Sequence, residues 1–134
     1  MLATRNLRRG LSFGLPSGQA TAKALGLRVL TENELKSGLP ENEIEILNSQ
    51  QKRLLKKTPL WYYVLRESAI LNGGNSLGPL GAKIVADTFI KMLKRDGNSY
   101  LNHSGGFTPF LPSETIDDFT VSDLIKFAGV NEPQ

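Results

Sequence analysis

The sequence predicts an all-α protein, and three observations carry that expectation. Apolar residues recur at helical spacing in the most strongly patterned segments. Helix caps and glycine or proline stops punctuate the chain at short intervals, and alternating apolar–polar runs of the kind that form half-buried strands are essentially absent. Five to six helices are expected, joined by long loops that draw on the 13 glycines and 7 prolines among the 134 residues.

The first clear helix start is Leu15-Pro16-Ser17, where Ser17 stands as N-cap to a short helix through Leu25, closed by Gly26. Thr31 and Glu34 have capping-box spacing for a helix of one or two turns that Gly38 ends. Residues 41–57 are polar with sparse apolar positions at Ile44, Leu47, Leu54 and Leu55, and read as helical turns on the surface. Thr58-Pro59 reads as an N-cap followed by a proline at the first helical position, where its missing N–H is not needed. Trp61, Val64, Leu65 and Ala69 then continue at helical spacing until Asn72-Gly73-Gly74 stops them. Gly78-Pro79 opens the next helix in the same way. Leu80, Ile84, Phe89, Met92 and Leu93, with Val85 beside them, form its apolar stripe, and Asp96-Gly97 terminates it. Residues 98–118 read as a loop containing Pro109 and Pro112, and Thr120 with Asp123 has capping-box geometry for a last short helix ending at Gly129.

Composition narrows the chemistry. The chain has no cysteine and one histidine, which excludes a disulfide framework, a thiolate nucleophile, a Cys-type zinc site and any multi-histidine metal site. His103 itself lies in a loop rich in turn residues and reads as a solvated side chain. Asp117 and Asp118 are adjacent and so point in different directions, while Glu41, Glu43 and Glu45 read as a solvated acidic face. Gly73-Gly74-Asn-Ser-Leu-Gly78 lacks the lysine and following Ser/Thr of a phosphate loop and reads as a helix break. The basic run Lys52, Arg53, Lys56 and Lys57 has no interleaved aromatics, and the net charge is only +3, so a solvated helix face is expected rather than a nucleic-acid surface. No stretch approaches the roughly 20 apolar residues of a membrane span, and charge occupies the place where a signal peptide's apolar run would lie. The chain reads as soluble, without a signal peptide, with no catalytic residue and no metal ligand of its own.

Residues 1–31 carry Arg5, Arg8, Arg9, Lys23 and Arg28 and no acid. Within this stretch Asn6 and Arg9 are three apart and would share a helical face. Asn6-Leu-Arg-Arg9 followed by Gly14-Leu-Pro16 resembles the Asn-x-x-Arg…Gly-Leu-Pro segment of the animal-type haem peroxidases, a superfamily with a bacterial branch. The likeness continues in order over nearly all the chain. Trp61 and Glu67 match a Trp-x5-Glu stretch, Gly78-Pro79 opens and Asp96-Gly97 closes the following helix, and Phe119-Thr-x-x-Asp-Leu-x-x-Phe-Ala-Gly129-Val resembles the end of bacterial members.

The resemblance implies roles residue by residue. The asparagine at the position of Asn6 accepts a hydrogen bond from the proximal haem histidine, which fixes that ring's tautomer and raises its donor strength. The arginine at the position of Arg9 pairs with a haem propionate through its planar fork. Gly14-Leu15-Pro16 shapes the turn leading away from the haem. Leu11-Ser-Phe13 stands where many vertebrate members hold Arg-Asp-His, so no role of those side chains transfers, and Arg8 receives none. The family's proximal histidine, distal histidine and distal arginine all lie N-terminal to the Asn6 position, and His103 matches neither histidine. The chain is therefore expected to be the C-terminal portion of a larger, mainly helical peroxidase fold. Residues 1–57 would give haem-proximal support and surface helices, 58–97 two core helices, and 98–134 a loop and terminal helix. Its partner would be the upstream portion of the same enzyme. The complete enzyme would hold haem and oxidise a reducing donor with hydrogen peroxide. This chain alone is expected neither to retain haem nor to turn over peroxide. The contrasting expectation is a cofactor-free helical interaction module, favoured by the missing catalytic set and the well-capped helices.

Overall fold

A computed structural model of the chain describes residues 1–105 and 110–129, the side chains of residues 50–52 excepted. Pro109, Val130 and the Lys52 side chain, named above, lie outside the described residues. The protein is all-helical. Among the described residues there are seven α-helices and one 3-10 turn, and no strand: α1 (Leu2–Ser12), α2 (Gly18–Ala24), α3 (Glu32–Lys36), α4 (Glu41–Lys56), α5 (Leu60–Asn72), α6 (Pro79–Arg95), the 3-10 turn (Tyr100–Asn102) and α7 (Val121–Phe127). The helix beyond the expected five to six is α1. It starts at Met1 with no side-chain cap and no acidic residue in its first turn, so none of the usual start signals marks it. The chain divides into two compact units, Met1–Thr88 and Phe89–Gln134.

In the first unit the short helices form where their caps predict. The Ser17 hydroxyl accepts from the Ala20 N–H. At α3 the Thr31 side chain accepts from the Glu34 N–H while the Glu34 carboxylate accepts from the Thr31 N–H, both halves of a capping box. Two helices end in the six-to-one, five-to-two bonding of a Schellman motif. At α1 the Leu15 and Gly14 N–H groups donate to Gly10 and Leu11 carbonyls, with Gly14 at φ +60. At α2 the Leu27 and Gly26 N–H groups donate to Ala22 and Lys23.

Two local expectations are corrected. Residues 41–56 form one continuous helix rather than surface turns, and it contributes Leu47 and Leu55 to the core. Ile44, Leu47, Leu54 and Leu55 are sparse because the buried stripe is narrow, one or two positions per turn. Thr58 does not cap α5. Pro59 takes the N-cap position, and the Thr58 hydroxyl instead donates to the Leu54 carbonyl at 2.8 Å and accepts from Gln19 Nε2 at 2.7 Å.

The core of this unit comprises Ala22, Leu30, Leu35, Leu47, Leu55, Tyr63 and Leu80. Its tightest joint is between α2 and α5. Gly18 lies so close to Tyr63 that a Cβ at position 18 would overlap the ring. The Tyr63 hydroxyl reaches on to accept the Leu30 N–H at 2.8 Å, and burial pushes that phenol's pKa up. Beside it the Gln19 amide is bonded at both ends, donating to the Leu55 carbonyl at 2.8 Å and accepting from the Thr58 N–H at 3.0 Å.

The apolar stripe of α6 is buried only at its start. In the first unit Leu80 is fully buried and Ile84 half-buried, while Val85 is exposed. In the second unit Phe89 and Met92 are each 61% exposed. A periodic stripe records which face is apolar, and it does not supply the surface that would cover that face. The carbonyl end of α6 is capped by side chains. The Ser99 hydroxyl donates to Leu93, and the Asn102 amide donates to Leu93, Lys94 and Asp96. Further along, α7 begins with the predicted capping box of Thr120 and Asp123. The buried Asp123 carboxylate also accepts the Glu114 N–H at 3.0 Å.

Replacing Gly18 by alanine should therefore lower the unfolding free energy by about 1–3 kcal/mol through overpacking. Gly97→Ala, where a Cβ meets open space, should change it by less than about 0.5 kcal/mol, both read from urea unfolding. Acid should also loosen the chain. The Thr31 N–H, then the Arg28 side chain, hold the Glu34 carboxyl below its usual range. The Thr120 hydroxyl and N–H do the same for Asp123. Folded-state values that lie below the unfolded ones give stability that is present at neutral pH and is lost as pH falls below about 4. A Glu34→Gln/Asp123→Asn double variant should show a shallower dependence of unfolding free energy on pH between neutrality and that acid range.

Candidate functional site

A cleft with a volume of about 610 Å³ lies in the first unit. Three pieces of chain wall it: one face of α1, the Leu15-Pro16-Ser17 turn with the start of α2, and residues 57–61. Each wall is held by an interaction already described. The Schellman turn at Gly14 sets the path from α1 into Leu15-Pro16. The Gly18 N–H donates to the Thr58 carbonyl at 2.9 Å and, with the Gln19 amide, ties the second wall to the third. The lining is mainly apolar, with Leu7, Leu11, Leu15, Leu60 and Trp61 prominent. Its polar side chains include Asn6, Arg8 and Lys57, and it contains no carboxylate. Volume and composition fall in the range of small-molecule sites.

Of the two residues singled out in the sequence, the structure brings one to this cleft. Asn6 is half-buried and lines it, whereas Arg9 is exposed and is not part of the lining. The helix explains the difference. At about 100° per residue, Asn6 and Arg8 mark the two edges of a face centred on Leu7, and Arg9 falls about 160° from that centre. Asn6 and Arg9 do neighbour each other on α1, as three-residue spacing requires, but the cleft opens on the other side of Asn6. Arg8, to which the resemblance gave nothing, is the arginine that lines it.

The donor set can be set against a haem. An apolar body beside a half-buried amide and two cations suits a porphyrin's ring and its carboxylates. The same lining has no imidazole, thiolate, thioether or phenolate to take iron. His103 is exposed and belongs to the second unit. Among the described residues no group of three or more His, Asp or Glu side chains is placed to hold a metal ion. The apolar lining and the two cations suit the organic part of the group, and the lining itself offers no iron ligand.

A smaller apolar cavity of about 250 Å³ shares Leu7 and Pro59 with the cleft and reaches Leu54 and Tyr62, with Glu43 at its edge. Arg53, Lys56 and Lys57 are exposed, as are Glu41, Glu43 and Glu45, and of these Lys57 lines the cleft and Glu43 the smaller cavity. Among the described residues no helix is long and apolar enough to cross a membrane. The chain matches no described protein family, no curated protein and no solved structure.

Two residues of the peroxidase-like pattern have a structural explanation that spacing does not announce. Glu67 on α5 is only 1% exposed. Its carboxylate accepts the Leu80 N–H at 2.8 Å and the Gly81 N–H at 3.4 Å, capping α6 from another helix. Gly78 permits this, because a Cβ there would overlap the Glu67 side chain. The signal available in sequence was a carboxylate set among apolar positions of α5, paired with a Gly-Pro helix start that has no capping side chain. Glu67→Ala should lower unfolding free energy by about 1.5–3 kcal/mol, the range for hydrogen bonds to a charged group. Glu67→Gln, which keeps an acceptor, should cost distinctly less in the same urea titration.

Proposed function

We propose that the chain is the C-terminal part of a haem peroxidase and furnishes proximal-side support for the haem. In this reading the complete enzyme oxidises a donor with hydrogen peroxide, and this chain contributes no catalytic residue of its own. The observation that carries the proposal is Asn6, the residue for which the resemblance implies contact with an imidazole. It lines an apolar cleft, and its side-chain amide has no hydrogen-bond partner among the described residues. Its carbonyl oxygen can accept an N–H from an axial ring, which holds that ring in one tautomer and increases its electron donation. Haem bound there would supply the oxidising chemistry, while Asn6 would orient the ligand and the leucines would keep water from it. The propionate role of Arg9 rests on the resemblance alone.

A second reading, a cofactor-free interaction module, has one observation in its favour. In the second unit Phe110, Ile116, Val121 and Phe127 are all exposed, apolar side chains that a partner surface would cover.

A missing axial ligand can be supplied from solution, and this separates the readings. Hemin alone should give no sharp Soret band with this chain and no peroxide turnover. Hemin with free imidazole should give a sharpened band that survives gel filtration. 1-Methylimidazole, which has no N–H to donate, should be markedly less effective, and Asn6→Ala should abolish the difference between the two. A sharp Soret band with turnover from hemin alone would contradict the proposal. Equal action of the two imidazoles on the unaltered chain would remove Asn6 from it.

A further inference from the structure

The cleft contains a feature that neither the resemblance nor an iron site accounts for. Arg8 and Lys57 come from separate elements, α1 and the junction of α4 with α5, yet both line the same apolar space. Neither side chain has an ion-pair or hydrogen-bond partner among the described residues. No carboxylate shares the lining, and residues 1–31, which build two of the three walls, contain no acid at all. Most lysines and arginines at a surface are solvated singly. Here two exposed cations line one apolar cleft, and the backbone that places them is anchored. Lys57 is followed by Thr58, whose N–H, carbonyl and hydroxyl are all bonded within the α2–α5 joint. Arg8 sits within α1, whose far end is set by the Gly14 turn.

We infer that Arg8 and Lys57 anchor the carboxylate of an amphipathic organic anion whose apolar body lies along Leu7, Leu11, Leu15, Leu60 and Trp61. Charge complementarity and the apolar lining together define that class. A fully polar anion would forgo the leucines, and a neutral hydrocarbon would forgo both cations. Two sources share this chemistry, a porphyrin with its propionates and a long-chain aliphatic carboxylate. The inference stands without the peroxidase reading, and if the porphyrin is the occupant it replaces Arg9 by Arg8 and Lys57 as the propionate contacts.

Trp61, the chain's single tryptophan, lines the cleft and reports occupancy directly through its fluorescence. Titration with iron-free protoporphyrin IX, its dimethyl ester and dodecanoate tests the assignment without any axial ligand. At least one of the two free carboxylates should change Trp61 emission saturably, and binding should weaken with added salt. Arg8→Ala and Lys57→Ala should each weaken it about fivefold, as expected for exposed charge pairs, and Arg9→Ala should not. If protoporphyrin is the ligand, its dimethyl ester should bind the unaltered protein at least about fivefold more weakly than the free acid, an arm that needs no mutation to fold. Dodecanoate binding without protoporphyrin binding would support the anion site and overturn the peroxidase reading. Protoporphyrin binding that depends on Arg9 and not on Arg8 or Lys57 would overturn the inference and leave the peroxidase reading standing. No saturable change with either carboxylate, or equal binding of the ester, would also overturn it.

Discussion

The close approach of Gly18 to the Tyr63 ring is the constraint on which the first unit depends. Because position 18 has no Cβ, α2 settles directly onto α5. That contact brings the Tyr63 hydroxyl to the Leu30 N–H and the Gln19 amide to Thr58. A buried backbone N–H left unpaired costs about 1–3 kcal/mol, so the tyrosine serves as both packing and partner for the loop before α3. The same contact fixes the functional geometry. It sets residues 15–20 opposite residues 57–61, and the cleft is the space that α1 then encloses. The cleft's walls are thus a consequence of core packing, and flexible loop placement has little part in them.

Much of this fold is legible in the sequence, and the legible parts have local causes. Ser17, the Thr31–Glu34 box, the Gly73–Gly74 stop and the Thr120–Asp123 box each act within a few residues and form as predicted. The failures have causes elsewhere in the chain. Thr58 looks like an N-cap, but its hydroxyl is claimed by Gln19, 39 residues away in sequence. Helix α1 has no local start signal and is held by packing against α5. The stripe on α6 shows which face is apolar but not what covers it, and Val85, Phe89 and Met92 are exposed.

The candidate site divides along the same line. Spacing correctly makes Asn6 and Arg9 neighbours on a helix, but three-residue spacing says nothing about which side of the pair faces the protein. Only the packing of α1 decides that, and it places Leu7 at the centre, Asn6 and Arg8 at the edges, and Arg9 outside. Lys57 is more remote still from sequence inference. As part of Lys52, Arg53, Lys56 and Lys57 it reads as one more solvated charge, and its position at the cleft follows from the bonds that hold Thr58.

Of the cleft's polar side chains, Asn6 is the one whose placement on α1 carries a cost, since it is half-buried. A leucine at position 6 would extend the apolar face of α1, whereas an amide there is partly withdrawn from water and gains no partner within the described residues. Arg8 and Lys57 line the same apolar space and have no carboxylate beside them in it. Residues that break a local rule without a compensating contact are the ones that function retains against stability. The compensation missing from this chain would come from a donor for the amide and an acceptor for the cations. A ring N–H and a carboxylate supply those two groups, so one bound amphipathic anion beside an imidazole would satisfy all three side chains at once.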